Sequence, residues 1–265
     1  MITLKLCDQN NNVIDKRSHI QETYLAYKNR TYNNGEKIIV ELDEPDQFIW
    51  VQVDEALEPS LIYMKQKVWT YPVILDESLK KAYSPKLFQG ERHYIRAYKV
   101  SEIDRNRYRN LARNAHDQRD DSGAYPHASA NVETRNDSTF FARNAIDGMI
   151  ANQGHGSFPY QSWGINQQED AELSIDFGRE VDVSEVALVL RADYPHDSFW
   201  TNVTFGFSDG EKVTVETTND LDRQFFKIEN KVTNSITLKN LIKNKDSSPF
   251  PALTQVEVYG REIKR

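Results

Sequence analysis

A run of polar and aromatic residues follows an apolar segment in the second half of the chain. Arg191 comes directly after residues 186–190, and Asp193, His196 and Trp200 follow it. Guanidinium, carboxylate and imidazole groups can hydrogen-bond neighbouring hydroxyls, and an aromatic ring can cover the apolar face of a sugar. Binding residues tend to lie on loops that a rigid scaffold holds. These residue types therefore predict a binding site for a small polar ligand, with carbohydrate as the class that suits them best.

The same run also has a purely structural interpretation. Arg191 and Asp193 lie two positions apart, on one face of an extended strand, so their side chains could pair with each other. Trp200 could fill the core beneath the following strand, because large aromatic residues are mostly buried. Both interpretations stay open at the level of the sequence.

A second group of candidate ligand-binding residues lies in and just after the polar segment 152–162. His155 and Tyr160 belong to this segment, and Trp163 follows it. The imidazole could add a hydrogen-bonding group for the same ligand, and the two rings could add a stacking surface. Trp163 could instead be buried under the loop, and Tyr160 could pack the loop down beside Pro159.

Catalysis is the main alternative to simple binding. His155, His196, Asp193 and Asp197 are residue types that transfer protons or bind metals, so an unrecognised hydrolase with a His/Asp site is one alternative. The chain lacks the His-Glu-x-x-His, Gly-x-Ser-x-Gly and Gly-rich phosphate-binding motifs. Binding without catalysis is therefore the leading prediction. A protein–protein assembly module is the other alternative, and an oligomer stays open.

Length and charge limit the classes of protein to which the chain can belong. At 265 residues it exceeds the usual single domain of roughly 100–200 residues. We predict two domains, residues 1–104 and 105–265. The net charge of -7 argues against a nucleic-acid partner, because Lys and Arg supply most of the affinity for phosphates. Cys7 is the only cysteine, so no intrachain disulfide can form.

The N-terminal residues and the overall hydropathy bear on location. Residues 1–6 alternate apolar and polar side chains, which predicts a strand and lacks the basic and apolar regions of a signal peptide. No window approaches the roughly 18 consecutive apolar residues of a membrane span. We therefore expect a cytoplasmic protein without a membrane partner.

Both halves of the chain read as short strands separated by turns, which predicts an all-β protein. In residues 171–177 apolar and polar side chains alternate, as in a sheet with one buried face. Turn signals between the strands of the first half have the spacing of an antiparallel sandwich. Residues 113–124 are almost entirely polar and predict a loop or connector. The other strands are predicted at 37–42, 48–53, 68–75, 93–100, 181–191, 201–207, 212–216, 225–228, 235–241 and 254–259.

The order of motifs in the second half resembles the coagulation-factor type C family, also called discoidin-like or galactose-binding-like domains. The motifs are Asn-Ala-Ile-Asp-Gly at 144–148, Trp163, Leu-Ser-Ile-Asp-Phe-Gly at 173–178 and Val-Glu-Val-Tyr-Gly at 256–260. Segments 124–134 and 247–255 are similar to a bacterial subgroup of this family that has no established activity. The resemblance implies an antiparallel jelly roll whose loops at one end bind a ligand, often a carbohydrate.

The resemblance also implies a metal site. Many discoidin-like domains hold a structural calcium with an Asp of the Asp-Gly turn and a Glu of the last strand. The matching residues here are Asp147 and Glu257, and calcium prefers such oxygen ligands. The alternative is that Asp147 only caps its own turn through the backbone.

Overall fold

The first half of the chain forms a sandwich of two antiparallel sheets. The computed structural model describes residues 1–191 and 198–263. One sheet has the strand order β2-β1-β4-β7. Alternate residues of β4, which are Ile38, Val40 and Leu42, point into the core, as the period-2 pattern predicted. The strands of this sheet are β1 (Ile2–Cys7), β2 (Val13–His19), β4 (Lys37–Leu42) and β7 (Val68–Pro72).

The second sheet of this sandwich has the order β10-β6-β5-β8-β3. A single apolar cluster with residues of both sheets, including Trp69 and Ile95, fills the space between them. Two short helices, α1 (Glu77–Lys80) and α2 (Glu102–Asn106), lie in the connections. The strands of this sheet are β3 (Glu22–Tyr27), β5 (Gln47–Gln52), β6 (Ser60–Met64), β8 (His93–Lys99) and β10 (Ala124–Tyr125).

The second half forms a larger antiparallel sandwich, so the all-β prediction is confirmed. Its main sheet has the order β12-β17-β13-β16-β14-β15, with β11 beside β13 and β9 beside β17. A second apolar cluster, which runs from Leu111 to Val258, forms its core. The strands are β9 (Arg109–Asn110), β11 (His127–Ala130), β12 (Trp163–Gly164), β13 (Leu173–Leu190), β14 (Trp200–Phe207), β15 (Lys212–Glu216), β16 (Gln224–Lys243) and β17 (Ala252–Glu262).

Four of the predicted strands form two long strands. The predictions at 171–177 and 181–191 together correspond to β13, and those at 225–228 and 235–241 together correspond to β16. In β13 the register against β16 shifts between Asp176 and Val181. Gly178 sits in this irregularity with a φ of 69°, and the ring of Tyr125 would lie 2.6 Å from a Cβ there. Glycine is therefore required, and the bulge lets the strand bend without ending.

Residues 114–117, in the segment between the two sandwiches, are buried. β10 lies beyond the predicted domain boundary at residue 104 but pairs with β6, so it completes an edge of the N-terminal sheet. His116 is fully buried, and its Nε2 accepts a hydrogen bond of 3.2 Å from the backbone N–H of Val53. Its Nδ1 lies 2.9 Å from the hydroxyl of Ser60. Residues 113–123 form the predicted loop, and its buried part packs between the two halves of the chain.

A buried ion pair continues this contact into the C-terminal sandwich. Asp117 accepts hydrogen bonds of 2.9 Å from Nδ1 of His127 and from the N–H of Ala128. Burial raises the pKa of Asp117. Burial alone would lower the pKa of His127, but the hydrogen bond and charge of Asp117 outweigh it and raise that pKa. No helix in the described ranges is long and apolar enough to cross a bilayer.

Candidate functional site

Loops at one end of the C-terminal sandwich surround a cavity of about 320 Å³, here called the loop cavity. It lies beside the ends of three strands. β12 pairs with the start of β17, and the N–H of Arg191, directly after β13, donates to the carbonyl of Ala252 at 3.1 Å. The lining residues are Thr134, Arg135, Phe140, His155, Gly164, Ile165, Asn166, Gln167, Arg191, Phe250, Pro251 and Ala252.

Tight backbone turns hold one wall of the loop cavity. The hydroxyl of Thr134 accepts a hydrogen bond of 2.9 Å from the N–H of Asn166. A Cβ on Gly164 would lie 2.6 Å from that same hydroxyl oxygen, so only glycine fits at this position. Asn166 and Gln167 follow with φ values of 50° and 62°, a left-handed conformation that turns the chain sharply. This geometry places two exposed amide side chains at the rim.

The opposite wall combines a buried cation with an exposed ring. Arg191 is buried, and its Nη2 donates to the carbonyl oxygen of Phe250. The ring of Phe250 is 40% exposed. Arg135 adds an exposed guanidinium at the rim, 5.6 Å from the centre of the Phe140 ring. The lining of the cavity therefore combines guanidinium groups, side-chain amides and a partly exposed aromatic residue.

The structure brings some of the predicted site residues together. Arg191 and His155 both line the loop cavity, although they are far apart in the sequence. Asp193 and His196 belong to residues 192–197, which lie outside the described part of the chain. Tyr160 is exposed and packs against Gly154, away from the cavity lining.

The structure corrects the assignment of Trp163 and Trp200 as ligand-binding residues. Their exposed fractions are 0% and 1%, and both belong to the core cluster. Their ring centres lie 6.2 Å apart, and Nε1 of Trp163 donates to the carbonyl of Val132 at 2.9 Å. Neither ring presents a face to a ligand, because the strands that carry them turn both rings inward.

Arg135 and Phe250 are among the residues of the loop cavity that sequence reasoning missed. Phe250 stands between two prolines, at 249 and 251, which disfavour a helix or a central strand there. That pattern was the available signal that this aromatic residue lies in a loop. Arg135 lies in a short 3-10 helix (Thr134–Asn136) and carries no comparable signal.

The carboxylates predicted to bind calcium have other partners. Asp147 is buried and accepts hydrogen bonds from the N–H of Met149 at 2.7 Å, from Gln161 at 2.7 Å and from Gln255 at 2.9 Å. Burial raises the pKa of Asp147 to about 6, although Arg143 and these donors oppose the rise.

Glu257, the second predicted calcium ligand, is held by cationic and hydroxyl groups. Its carboxylate lies 3.0 Å from Nε of Arg223 and accepts a hydrogen bond of 2.9 Å from the hydroxyl of Tyr259. Calcium is bound by several oxygen ligands, and both side chains offer carboxylate oxygens. The calcium site at Asp147 and Glu257 stays a prediction.

Comparisons with known proteins give structural similarities only. No family model and no curated protein matches the chain. A selenomethionine-labelled point mutant of chitosan-binding module 1, from a chitosanase/glucanase of Paenibacillus sp. IK-5, is 18% identical. The match covers 58% of this chain and 100% of that one, with a TM-score of 0.41.

Two further solved structures are similar to the same extent. The family 32 carbohydrate-binding module of C. perfringens NanJ, in complex with galactose, is 18% identical, with 58% and 99% coverage and a TM-score of 0.41. The lectin domain of lectinolysin, complexed with Lewis B antigen, is 18% identical, with 58% and 97% coverage and a TM-score of 0.42. At 18% identity and TM-scores of 0.41–0.42, these likenesses assign neither a family nor a ligand to this chain, and the ligands belong to those proteins.

Proposed function

We propose that this chain is a noncatalytic carbohydrate-binding protein that holds its ligand in the loop cavity. The observation that carries the proposal is the meeting of Arg191, His155 and the exposed ring of Phe250 at one end of the sandwich. Sugars are bound by hydrogen-bonding groups around their hydroxyls together with a ring that covers their C–H face. The loop cavity supplies both within about 320 Å³.

The polar groups at the rim support the same class of ligand. Asn166 and Gln167 are exposed, and each amide carries both a donor and an acceptor. A hydroxyl also donates and accepts, so such amides match sugar hydroxyls better than a purely charged rim would.

The absence of a carboxylate pair supports binding without catalysis. Within residues 1–191 and 198–263, no Asp or Glu lines the loop cavity. Glycosidases generally use two carboxylates, one on each side of the bond that breaks. The described lining therefore lacks the groups for that reaction.

Replacing Phe250 with alanine tests the proposal directly. We expect this variant to bind its sugar about tenfold more weakly than the wild type, because the ligand loses its apolar platform. A glycan array identifies the sugar, and calorimetric titration then measures its dissociation constant. Because Phe250 is 40% exposed and belongs to neither core cluster, the variant should fold normally.

Phe225→Ala is the matched control for this experiment. Phe225 is 54% exposed on β16 and lies outside the cavity lining, so its removal should leave the affinity unchanged. Equal affinities of the wild type and the Phe250 variant, or no binding of any glycan by the wild type, would contradict the proposal.

A further inference from the structure

A cluster of three potential metal ligands lies in the N-terminal sandwich, remote in sequence from the loop cavity. It consists of Asp54, Glu55 and His93, whose ligand atoms all lie within 4.8 Å of one another. Asp54 and Glu55 follow β5, and His93 begins β8. These strands are antiparallel neighbours, with Gln52 opposite Arg96, so the sheet places the end of one beside the start of the other.

The imidazole of His93 is oriented as a metal ligand. His93 is 4% exposed, and its Nε2 lies 2.8 Å from the carbonyl oxygen of Arg30. A carbonyl can only accept, so Nε2 carries a proton and, in the neutral ring, Nδ1 holds a lone pair. A ligating histidine in metalloproteins commonly donates its other ring N–H to such a carbonyl.

The Nδ1 atom of His93 is buried and has no hydrogen-bond partner among the residues that the structure describes. A buried polar atom without a partner is costly, by about 1–3 kcal/mol, and needs an explanation. The ring cannot readily turn away, because Tyr32 packs against it with ring centres 4.3 Å apart. The lone pair thus stays fixed on a ring that has a ligand nitrogen within 4.8 Å of two carboxylate oxygens, whose charge a bound cation would neutralise.

The two carboxylates differ in a way that suits a binding site. Asp54 is buried, and its oxygens accept hydrogen bonds from the N–H of Ala56 at 2.8 Å and of Phe88 at 3.0 Å. These bonds fix its orientation and leave each oxygen a second lone pair. Glu55 is exposed, so its side chain can swing to close the site around an ion.

We propose that Asp54, Glu55 and His93 bind a divalent transition-metal cation of the zinc class. Tetrahedral zinc, with ligand bonds of about 2.0–2.2 Å, holds its ligand atoms about 3.3–3.6 Å apart, so atoms that now lie up to 4.8 Å apart must approach by at most about 1.5 Å. One imidazole and two carboxylates suit such a cation better than calcium or magnesium, which prefer oxygen ligands throughout. The proposal does not depend on the carbohydrate site.

Calorimetric titration of the full-length, metal-free protein with zinc tests this site. We expect one zinc ion per chain, and an affinity at least about tenfold weaker in both Glu55→Gln and His93→Gln. Zinc should also raise the melting temperature of the wild type more than that of either variant. Glu55→Gln guards against misfolding, because it changes an exposed side chain by one atom.

Glu22→Gln is the matched control, since Glu22 is an exposed glutamate of the same sandwich on β3. This variant should bind zinc as the wild type does. The proposal is overturned if the wild type binds no zinc, or if the Glu55 and His93 variants bind it as tightly as the control does.

Discussion

Replacing Trp200 with alanine is expected to lower the free energy of unfolding by about 3–5 kcal/mol. The side chain is almost completely buried and packs against Trp163 in the core of the C-terminal sandwich. Its removal leaves a cavity that the rigid strands around it can fill only in part. Chemical denaturation of the wild type and the variant, followed by circular dichroism, measures this loss.

Phenylalanine variants of the two tryptophans separate packing from hydrogen bonding. Nε1 of Trp200 has no hydrogen-bond partner within the described ranges, whereas Nε1 of Trp163 donates to Val132. Trp200→Phe should therefore cost less than Trp163→Phe, which also leaves a buried carbonyl without its donor. If the Trp200→Ala variant kept its stability but lost sugar binding, Trp200 would be a ligand-binding residue, as predicted from the sequence.

Acid is expected to weaken the contact between the two sandwiches through His116. Burial, together with the nearby Arg143, lowers the pKa of His116 to about 3 from an ordinary value of 6.5. Protonation would also break its bond from the Val53 N–H, because Nε2 could no longer accept. The unfolded chain thus binds this proton more readily than the folded chain. The contribution of His116 to the free energy of unfolding is therefore fully present above pH 6.5, and it declines as the pH falls towards 3.

The His116→Gln variant isolates this effect from the other titrating groups. The pKa values of Asp147 and Asp117 are raised in the folded state, so acid stabilises the fold through these two groups. Both groups are present in the wild type and in the variant, so their effect cancels in the difference. The stability advantage of the wild type over the variant should shrink by about 3 kcal/mol between pH 7 and pH 4. Urea denaturation at a series of pH values measures it. A difference that stays constant with pH would show that His116 is not held neutral by burial.

The strands could be predicted from the sequence because apolar and polar side chains alternate along them. The buried polar contact that His116 makes between the two sandwiches could not be predicted. The pattern of β4 and of the first half of β13 is visible in the sequence, and the structure confirms it. His116 belongs to a segment that is polar throughout, which is also the signature of a loop. Its partners, Val53 and Ser60, lie more than fifty residues earlier, and no local pattern reveals such a pairing.

The loop cavity was predictable only in part for the same reason. Arg191 could be recognised because it follows directly on an apolar strand, where chains commonly enter a loop. Phe250 and Arg135 join the site only because β12 pairs with the start of β17 and brings distant loops together. Trp200 was misassigned because a tryptophan at the start of a strand looks the same in sequence whether it faces the core or a ligand.

Mapping the bound sugar by backbone amide chemical shifts tests the central claim most directly. The protein, labelled with ¹⁵N, would be titrated with the glycan that the array identifies. We predict that the shifted amides cluster at residues 134–135, 164–167 and 250–252, around the loop cavity. The claim would be contradicted if the shifts clustered elsewhere, for example in the groove of about 440 Å³ beside Trp50 and Tyr98, or if no amide shifted.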